Sequence, residues 1–349
     1  MCHGQVQHVF SLDDMPIAND FQEKPNSGES YPLHLMECDD CHHVQARHVI
    51  DGLFDAYKYR TPDAFDFHLS EVADLLKLRF PLTETVVEIG SNNGLNLDIL
   101  SQRFHTVVGV DPAAPSNYRV YSRPFTERLA KDIYKRKGEV DLIIANNVFA
   151  HIDDLDDVFR GIDWLLAPQG AVIIEVQDFQ ASVRGGIFDM LYHEHLDQHT
   201  VPPWRLLLER HHLHLSSVES IMVHGGSLRL TATRHHQTDY PEIPINWKRY
   251  SAKVGLVQCH VREELKGNVA AWGAAAKLTV MIHQCGLQDV IQYCVDNTLE
   301  KQGLYIPGTD IEIVPEFHVK PDRVLLGAWN YEHVFNELYP DLIGVNPYG

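Results

Sequence analysis

This sequence predicts an α/β architecture built on a parallel sheet, and three features carry that prediction. Short apolar runs suited to strands buried on both faces recur at 86–89 (VVEI), 106–110 (TVVGV), 141–145 (DLIIA) and 171–176 (AVIIEV). Stretches with helical spacing separate them, among them 67–80 and 153–166, the latter with Asp153 and Asp154 placed to favour its N-terminus. Acidic or amide residues stand just beyond the strand ends, as Asp111, Asn146 and Asn147. In an open parallel sheet those positions border the crevice in which ligands bind.

The first strand–turn–helix unit is the most informative. After the strand at 86–89 come Gly90, Ser91, Asn92, Asn93 and Gly94, residues that tolerate positive φ or hydrogen-bond locally. The third glycine of a dinucleotide fingerprint is missing, and Glu88 just before the turn disfavours a pyrophosphate. Asp111, ending the second strand, suits a ribose diol. The pattern fits a cofactor without phosphate, which describes S-adenosylmethionine (SAM); the alternative is a βαβ unit with no ligand. The expected cofactor-binding residues are Glu88, Gly90, Asn92, Gly94 and Asp111, with Asn146, Asn147 and His151 facing the same crevice.

The chain has 349 residues, enough for two or three domains, and its 44% apolar content suits a packed globular protein. With 29 Lys and Arg against 48 Asp and Glu, the net charge of −19 repels nucleic acid and anionic membranes at long range. No apolar run approaches the ~20 residues needed to span a bilayer. The opening MCHGQVQHVF lacks a charged leader with an apolar core, and six cysteines in a chain this long are not a disulfide framework. A cytoplasmic protein, a monomer or homodimer without nucleic-acid or membrane partners, is expected.

Residues 1–70 are expected to form a zinc-binding domain. Cys38 and Cys41 make a C-x₂-C, a spacing that aims two thiolates at one metal, and Cys2, with His3 or His8, would complete a tetrahedral site. The alternative is two thiols on a turn. With few apolar residues in the segment, the metal is expected to supply its folding energy. Tyr57 and Tyr59 are either strand core or substrate contacts.

The 71–236 region holds the strands above and a dense run, FDMLYHEHLDQHT, that crowds Tyr192, His193, Glu194, His195, Asp197 and His199 together. A metal reading pairs His195 with His199, four apart on a helix face. An acid–base reading uses His195, oriented by a neighbouring carboxylate, to take a proton. Further on, His224, Gly225 and Gly226 precede a strand at 228–232, where glycines permit close backbone approach. Residues 237–266 read as a helical linker. From 267 to 349 a second Rossmann-like unit is expected: a strand, the small-residue turn GAAAK, strands at 291–295 and 323–328, then Trp329 and Asn330. Lys277 at the head of the helix would receive a phosphate, or the small residues serve only close packing.

Several segments together resemble the SAM-dependent C-methyltransferases of deoxysugar biosynthesis, which methylate carbon 3 of nucleotide-linked 4-keto sugars. They are PIANDF (16–21), the C-x₂-C at Cys38 and Cys41, VVEIGSNNG (86–94), ANNVFAHI (145–152), Glu194–His195, VHGGSLR (223–229), GAAAK (273–277), KQGLYIPGT (301–309) and AWN (328–330). The resemblance implies a structural zinc domain, a SAM domain and a C-terminal α/β domain that closes on the sugar nucleotide. It implies that His195 is the base, with Glu194, Tyr192, Tyr57 and Tyr59 at the reacting centre and His224, Gly225, Lys277 and Asn330 towards the substrate. Three departures from it stand out: the chain opens MCHG rather than C-x₂-C-G, LDQHTVPPW follows Glu194–His195, and the chain is expected to stop short of the family's usual C-terminus. The alternatives are an O- or N-methyltransferase on another small acceptor, or a non-catalytic SAM-fold binding protein.

Overall fold

Strand positions in the middle of the chain follow the apolar runs, and everything else is arranged round them. The structure, a computed structural model, describes residues 4–53, 66–114, 119–241 and 243–349. Cys2, His3, Tyr57 and Tyr59 lie outside the described residues.

The chain opens with β1 (Val6–Pro16), β2 (Ser30–Cys38) and β3 (Val44–Ala46), paired antiparallel. After α1 (Asp66–Arg79) come β4 (Thr85–Ile89), α2 (Leu95–Ser101), β5 (Thr106–Val110), β6 (Val120–Tyr121), α3 (Glu127–Lys137), β7 (Val140–Asn146), α4 (Leu155–Leu165) and β8 (Leu166–Gln177). These strands are mutually parallel. Next are α5 (Phe179–Gly185), β9 (Asp197–Gln198), α6 (Val201–Arg210) and the hairpin β10 (His214–Ile221) with β11 (Ser227–Thr233), which joins β8 antiparallel. The seven-stranded order is β10-β11-β8-β7-β4-β5-β6, so the chain reverses direction across the sheet between β4 and β7. A crevice at the strand C-termini opens at that reversal.

After the long helix α7 (Trp247–Glu264), β12 (Val269–Trp272), α8 (Ala276–Cys285), β13 (Ile291–Val295), β14 (Glu312–Val314), β15 (Arg323–Leu326), α9 (Glu332–Leu338) and β16 (Gly344–Val345) complete the chain. This second sheet is all parallel, order β14-β13-β12-β15-β16. Its own reversal lies between β12 and β15.

Three findings differ from the sequence expectations. Residues 168–170 (PQG) do not separate helix from strand: β8 already pairs Leu166 with Val140, and the PQG stretch bulges before Ala171 resumes opposite Leu142. The N-terminal region is not held by a metal alone. Phe10, Leu33 and Leu35 of its sheet are buried in one core with Phe179, Phe188, Tyr250 and Leu278, and its fourth strand, β9, comes from the middle of the chain. Burying each such large side chain contributes about 1.5–3 kcal/mol. Finally, the helix expected in the 237–266 linker is present as α7 but is also part of the core: Tyr250, at 0% exposure, packs on Phe10 and Phe179 with ring centres 5.0 and 5.9 Å away.

Candidate active site

The Gly turn takes its shape from residues that accept left-handed backbone. Gly90 (φ 79°), Asn92 (φ 44°) and Gly94 (φ 87°) fold it back, and Gly90 N–H donates to Val110 O (2.8 Å). Asp111 stitches it to the second strand, accepting from Asn92 N–H (2.9 Å) and Ala113 N–H (2.7 Å). A side chain at Gly90 would strike Val148, whereas the space above Gly94 is open for 4 Å. Glu88 is buried behind the turn: Asn96 Nδ2 donates to one carboxylate oxygen (2.6 Å), and the other has no protein partner. Burial pushes its pKa up to about 8, against the Asn96 hydrogen bond. Asn146 also keeps a buried amide oxygen without a partner. Two carboxylates, an orphaned amide and bare glycine backbone fit a cationic, phosphate-free cofactor whose hydroxyls and amine donate hydrogen bonds.

Asn147 (φ 53°) turns the chain out of β7, its N–H donating to Glu175 O (2.7 Å), and brings His151 over the crevice rim. The rim is closed by the 186–196 segment, whose Leu196 N–H donates to Ala150 O (2.7 Å). Here His195 is buried. Its Nδ1 faces the carbonyl of Met190 (2.8 Å), which can only accept, so the neutral ring carries its proton on Nδ1. Nε2 is left as the acceptor and takes the Tyr192 hydroxyl (2.7 Å). The His151 ring lies 4.9 Å from that of His195, with Nδ1 on Glu194 O (2.7 Å). Burial first, then the neighbouring His151, hold His195 well below the ordinary imidazole pKa, against the pull of Met190 O. The ring is thus an unprotonated base at neutral pH.

Two expectations about this run are corrected. Residues 191–200 form a turn leading into β9, not a helix, so His195 and His199 do not share a helix face. His199 stacks on Trp204 (5.1 Å) with neither ring nitrogen hydrogen-bonded. Nor does a carboxylate orient His195. Glu194 turns away, accepting from Asn19 N–H and Nδ2 (both 3.0 Å), and a backbone carbonyl holds the imidazole instead. Asn19 belongs to PIANDF, a segment also tied to α8 by Thr279 Oγ1 donating to Ala18 O (3.0 Å). Asn19 carried no functional signal of its own, because its partner is 175 residues away.

The four residues expected to face the substrate come together from two sheets. His224 and Gly225 sit at the β10–β11 turn with φ of 52° and 86°, Gly225 seated against the Trp329 ring with no room for a side chain. Lys277 Nζ lies 4.7 Å over the same ring and donates to Asn330 Oδ1 (2.5 Å). Burial lowers Lys277 to about 8, against Asp189, and burial followed by Lys277 lowers His224 to about 3.

Cys38 and Cys41 are buried on the β2–β3 turn, where His42 (φ 57°) donates its N–H back to Cys38 O (3.0 Å). A side chain on Gly4 would come within 2.8 Å of Cys38 Sγ, so residue 4 lies beside that sulfur. His8 does not join them. It is exposed on β1, and its Nε2 is paired with Ser11 Oγ (2.7 Å). Among the described residues no group of three metal-ligating side chains forms.

Three family models match: a "Methyltransferase domain" over residues 62–222, a "C-methyltransferase C-terminal domain" over 247–339 and a "Putative zinc binding domain" over 1–52. The C-methyltransferase NovU of Streptomyces niveus is 32% identical, the match covering 94% of this chain and 88% of that protein. Solved structures to which the chain is similar include a SAM-dependent methyltransferase from Anabaena variabilis (16% identical, TM-score 0.37, 48% of this chain and 86% of that one). Another is a 1,6-didemethyltoxoflavin-N1-methyltransferase from Burkholderia thailandensis (17%, TM-score 0.36, 58% and 98%). With its methyltransferase and C-methyltransferase domains in sequence order and a relative matched over nearly its whole length, the chain belongs to the SAM-dependent C-methyltransferases.

Proposed function

We propose that the acceptor is a nucleotide-linked 4-keto deoxysugar and that His195 is the base that activates it. The observation that carries this reading is the fixed tautomer of His195: Nδ1–H is spent on Met190 O, so Nε2 is the nitrogen presented with Tyr192. SAM, when bound against Glu88, Gly94 and Asp111, supplies an electrophilic methyl on a sulfonium. A ketone acidifies the adjacent C–H, and Nε2 takes that proton while the electron pair passes to the carbonyl oxygen as an enolate. The enolate carbon would be the nucleophile for that methyl, the new C–C bond replacing the C–S bond, whose electron pair would stay on sulfur. Tyr192 is set to hold and return the proton at Nε2. Lys277, His224, Gly225 and Asn330 would hold the sugar nucleotide, and Tyr57 and Tyr59, which lie outside the described residues, are assigned to it by the resemblance alone. Lys277 offers the cation that an acceptor phosphate requires in a chain of such negative charge.

Zinc, in this reading, is structural and held by Cys38 and Cys41, with Cys2, which lies outside the described residues, as a further thiolate. A cytoplasmic small-molecule enzyme is consistent with the net charge, and no helix among the described residues is long and apolar enough to cross a membrane.

The experiment is product analysis with SAM and a panel of dTDP-4-keto-deoxysugars deuterated at carbon 3. A product heavier by a methyl and lacking the label is expected. Retained deuterium would mean O- or N-methylation, and no product with any sugar would remove the substrate assignment. His195→Ala should slow turnover by about 10²-fold or more; an undiminished rate would remove His195 as base.

A further inference from the structure

The segment carrying His195 is held from outside its own sheet. Between α5 and His195 the chain runs Gly186–Leu196 with little regular structure, yet its polar backbone is pinned. Tyr250 of α7 donates its hydroxyl to Ile187 O (2.7 Å). The Tyr348 hydroxyl, near the C-terminus, accepts from the N–H groups of Phe188 and Asp189 (both 3.3 Å). Trp329 Nε1 donates to the Asp189 carboxylate (2.7 Å), and Ile187 and Met190 pack into a cluster with Trp329, Leu326 and Phe335. The next residue after Asp189 is Met190, whose carbonyl selects the tautomer of His195. Asp189 is 1% exposed, an expensive place for a carboxylate unless it has a task.

We propose that Asp189 is a positioning residue for His195: anchored by Trp329, it fixes the Met190 carbonyl and so couples the base to the C-terminal sheet. This inference rests on the reading of His195 as base, but not on the identity of the acceptor. The contact puts the loop after β15 one peptide bond from the group that orients the imidazole. Lys277 also bears on this carboxylate, its positive charge opposing the effect of burial on Asp189. Movement of the C-terminal unit on acceptor binding would therefore be felt at His195 without a direct contact. Releasing the anchor lets Met190 O drift and water reach the ring. The groups facing His195 are Tyr192 beside it, His151 beyond β7, His199 next to β9 and His224 on the β10–β11 turn, none of them a carboxylate that would offset the change.

The test uses the full chain labelled at histidine Cε1, with the His195 signal assigned by its loss in His195→Asn. In the wild type that signal should stay neutral below the ordinary imidazole range. In Asp189→Ala and Trp329→Phe its midpoint should rise by about one unit as the ring is hydrated. The kcat should fall about 10- to 100-fold, the scale of a misplaced catalytic group, with KM for SAM and acceptor little changed. Asp189→Asn, which still accepts from the indole, should recover most of both. If Asp189→Ala does not fold, Trp329→Phe decides, since it deletes the indole donor; it also trims the ring beneath Lys277 and Gly225, so it is read by the His195 midpoint and not by the acceptor KM. An unmoved midpoint in folded variants overturns the proposal. So does a loss confined to the acceptor KM, which would make Asp189 a ligand contact. A moved midpoint in a protein that methylates no keto sugar would leave this inference standing and remove only the acceptor assignment.

Discussion

The middle and C-terminal units use the same turn for different ends. Gly90 N–H donates to Val110 O at 2.8 Å, and Gly273 N–H donates to Val295 O at 2.8 Å. Asp111 accepts from Asn92 and Ala113, and Asp296 accepts from Ala274 and Thr298 in the same two-oxygen pattern (2.7 and 2.8 Å). Beyond that they part. The matching glycines are both closed to a side chain, Gly90 by Val148 (2.8 Å) and Gly273 by Ala328 (2.6 Å), but the first turn runs on to Gly94 under open space, whereas in the second Lys301 Nζ reaches in to Ala274 O (2.7 Å). Glu88, two residues before its glycine, is a buried carboxylate with an oxygen to spare; the same place before Gly273 is Ala271. A strand, a glycine and a terminal Asp therefore describe how a parallel sheet turns its first corner. Whether a ligand enters depends on what later segments put over the turn.

The sharpest break in this comparison is the pair Asp111→Ala and Asp296→Ala. The first should weaken SAM binding about 10²-fold or more, since each hydrogen bond to a charged group contributes about 1.5–3 kcal/mol. The second should leave SAM affinity unchanged and lower stability by about 1–3 kcal/mol through its abandoned amides. Calorimetric titration and thermal melts read both, and equal losses of affinity would mean the second crevice also serves the cofactor. A smaller contrast comes from the glycines. Gly94→Ala pays roughly 1–2 kcal/mol for its left-handed backbone and should fold with reduced SAM affinity. Gly273→Ala adds the clash with Ala328, another ~1–3 kcal/mol, and should show the larger drop in melting temperature with SAM affinity intact once folded.

What was legible beforehand follows the same division. Parallel strands buried on both faces are continuous apolar runs, so 106–110 and 291–295 stand at Thr106–Val110 and Ile291–Val295. The N-terminal strands were not legible, because β2 (SYPLHLMEC) alternates buried and open positions and completes its core with Phe179 and Tyr250 from far along the chain. The crowding of Tyr192, Glu194 and His195 marked the site, and their spacing within four residues is enough for Tyr192 to reach Nε2. Their partners were not legible. Met190 offers a carbonyl, which every residue has, and Asn19 and Trp329 approach from 175 and 140 residues away. Composition registers which side chains are present; a backbone acceptor leaves no mark in it.

Glu88 gives the last contrast, one confined to a pH window, because Ala271 offers nothing to titrate. An isolated carboxyl near pKa 4.5 that is raised to about 8 by burial binds its proton more tightly folded than unfolded. Below the lower value both states are protonated. As pH rises through the window the unfolded chain ionises first, so stability falls, by an amount on the order of a few kcal/mol, and levels off above the upper value. Glu88→Gln should flatten that decline, with the gap between variant and wild type growing from about pH 5 to pH 8 in thermal melts. A bound cation favours the ionised carboxylate, so SAM binding to the wild type should release protons near pH 7 and tighten as pH rises towards 8, and the variant should do neither. Proton release counted by calorimetry in buffers of different ionisation enthalpy reads this directly. Equal release from the variant would place the cofactor's charge away from Glu88, leaving the open space over Gly94 as what separates the two crevices.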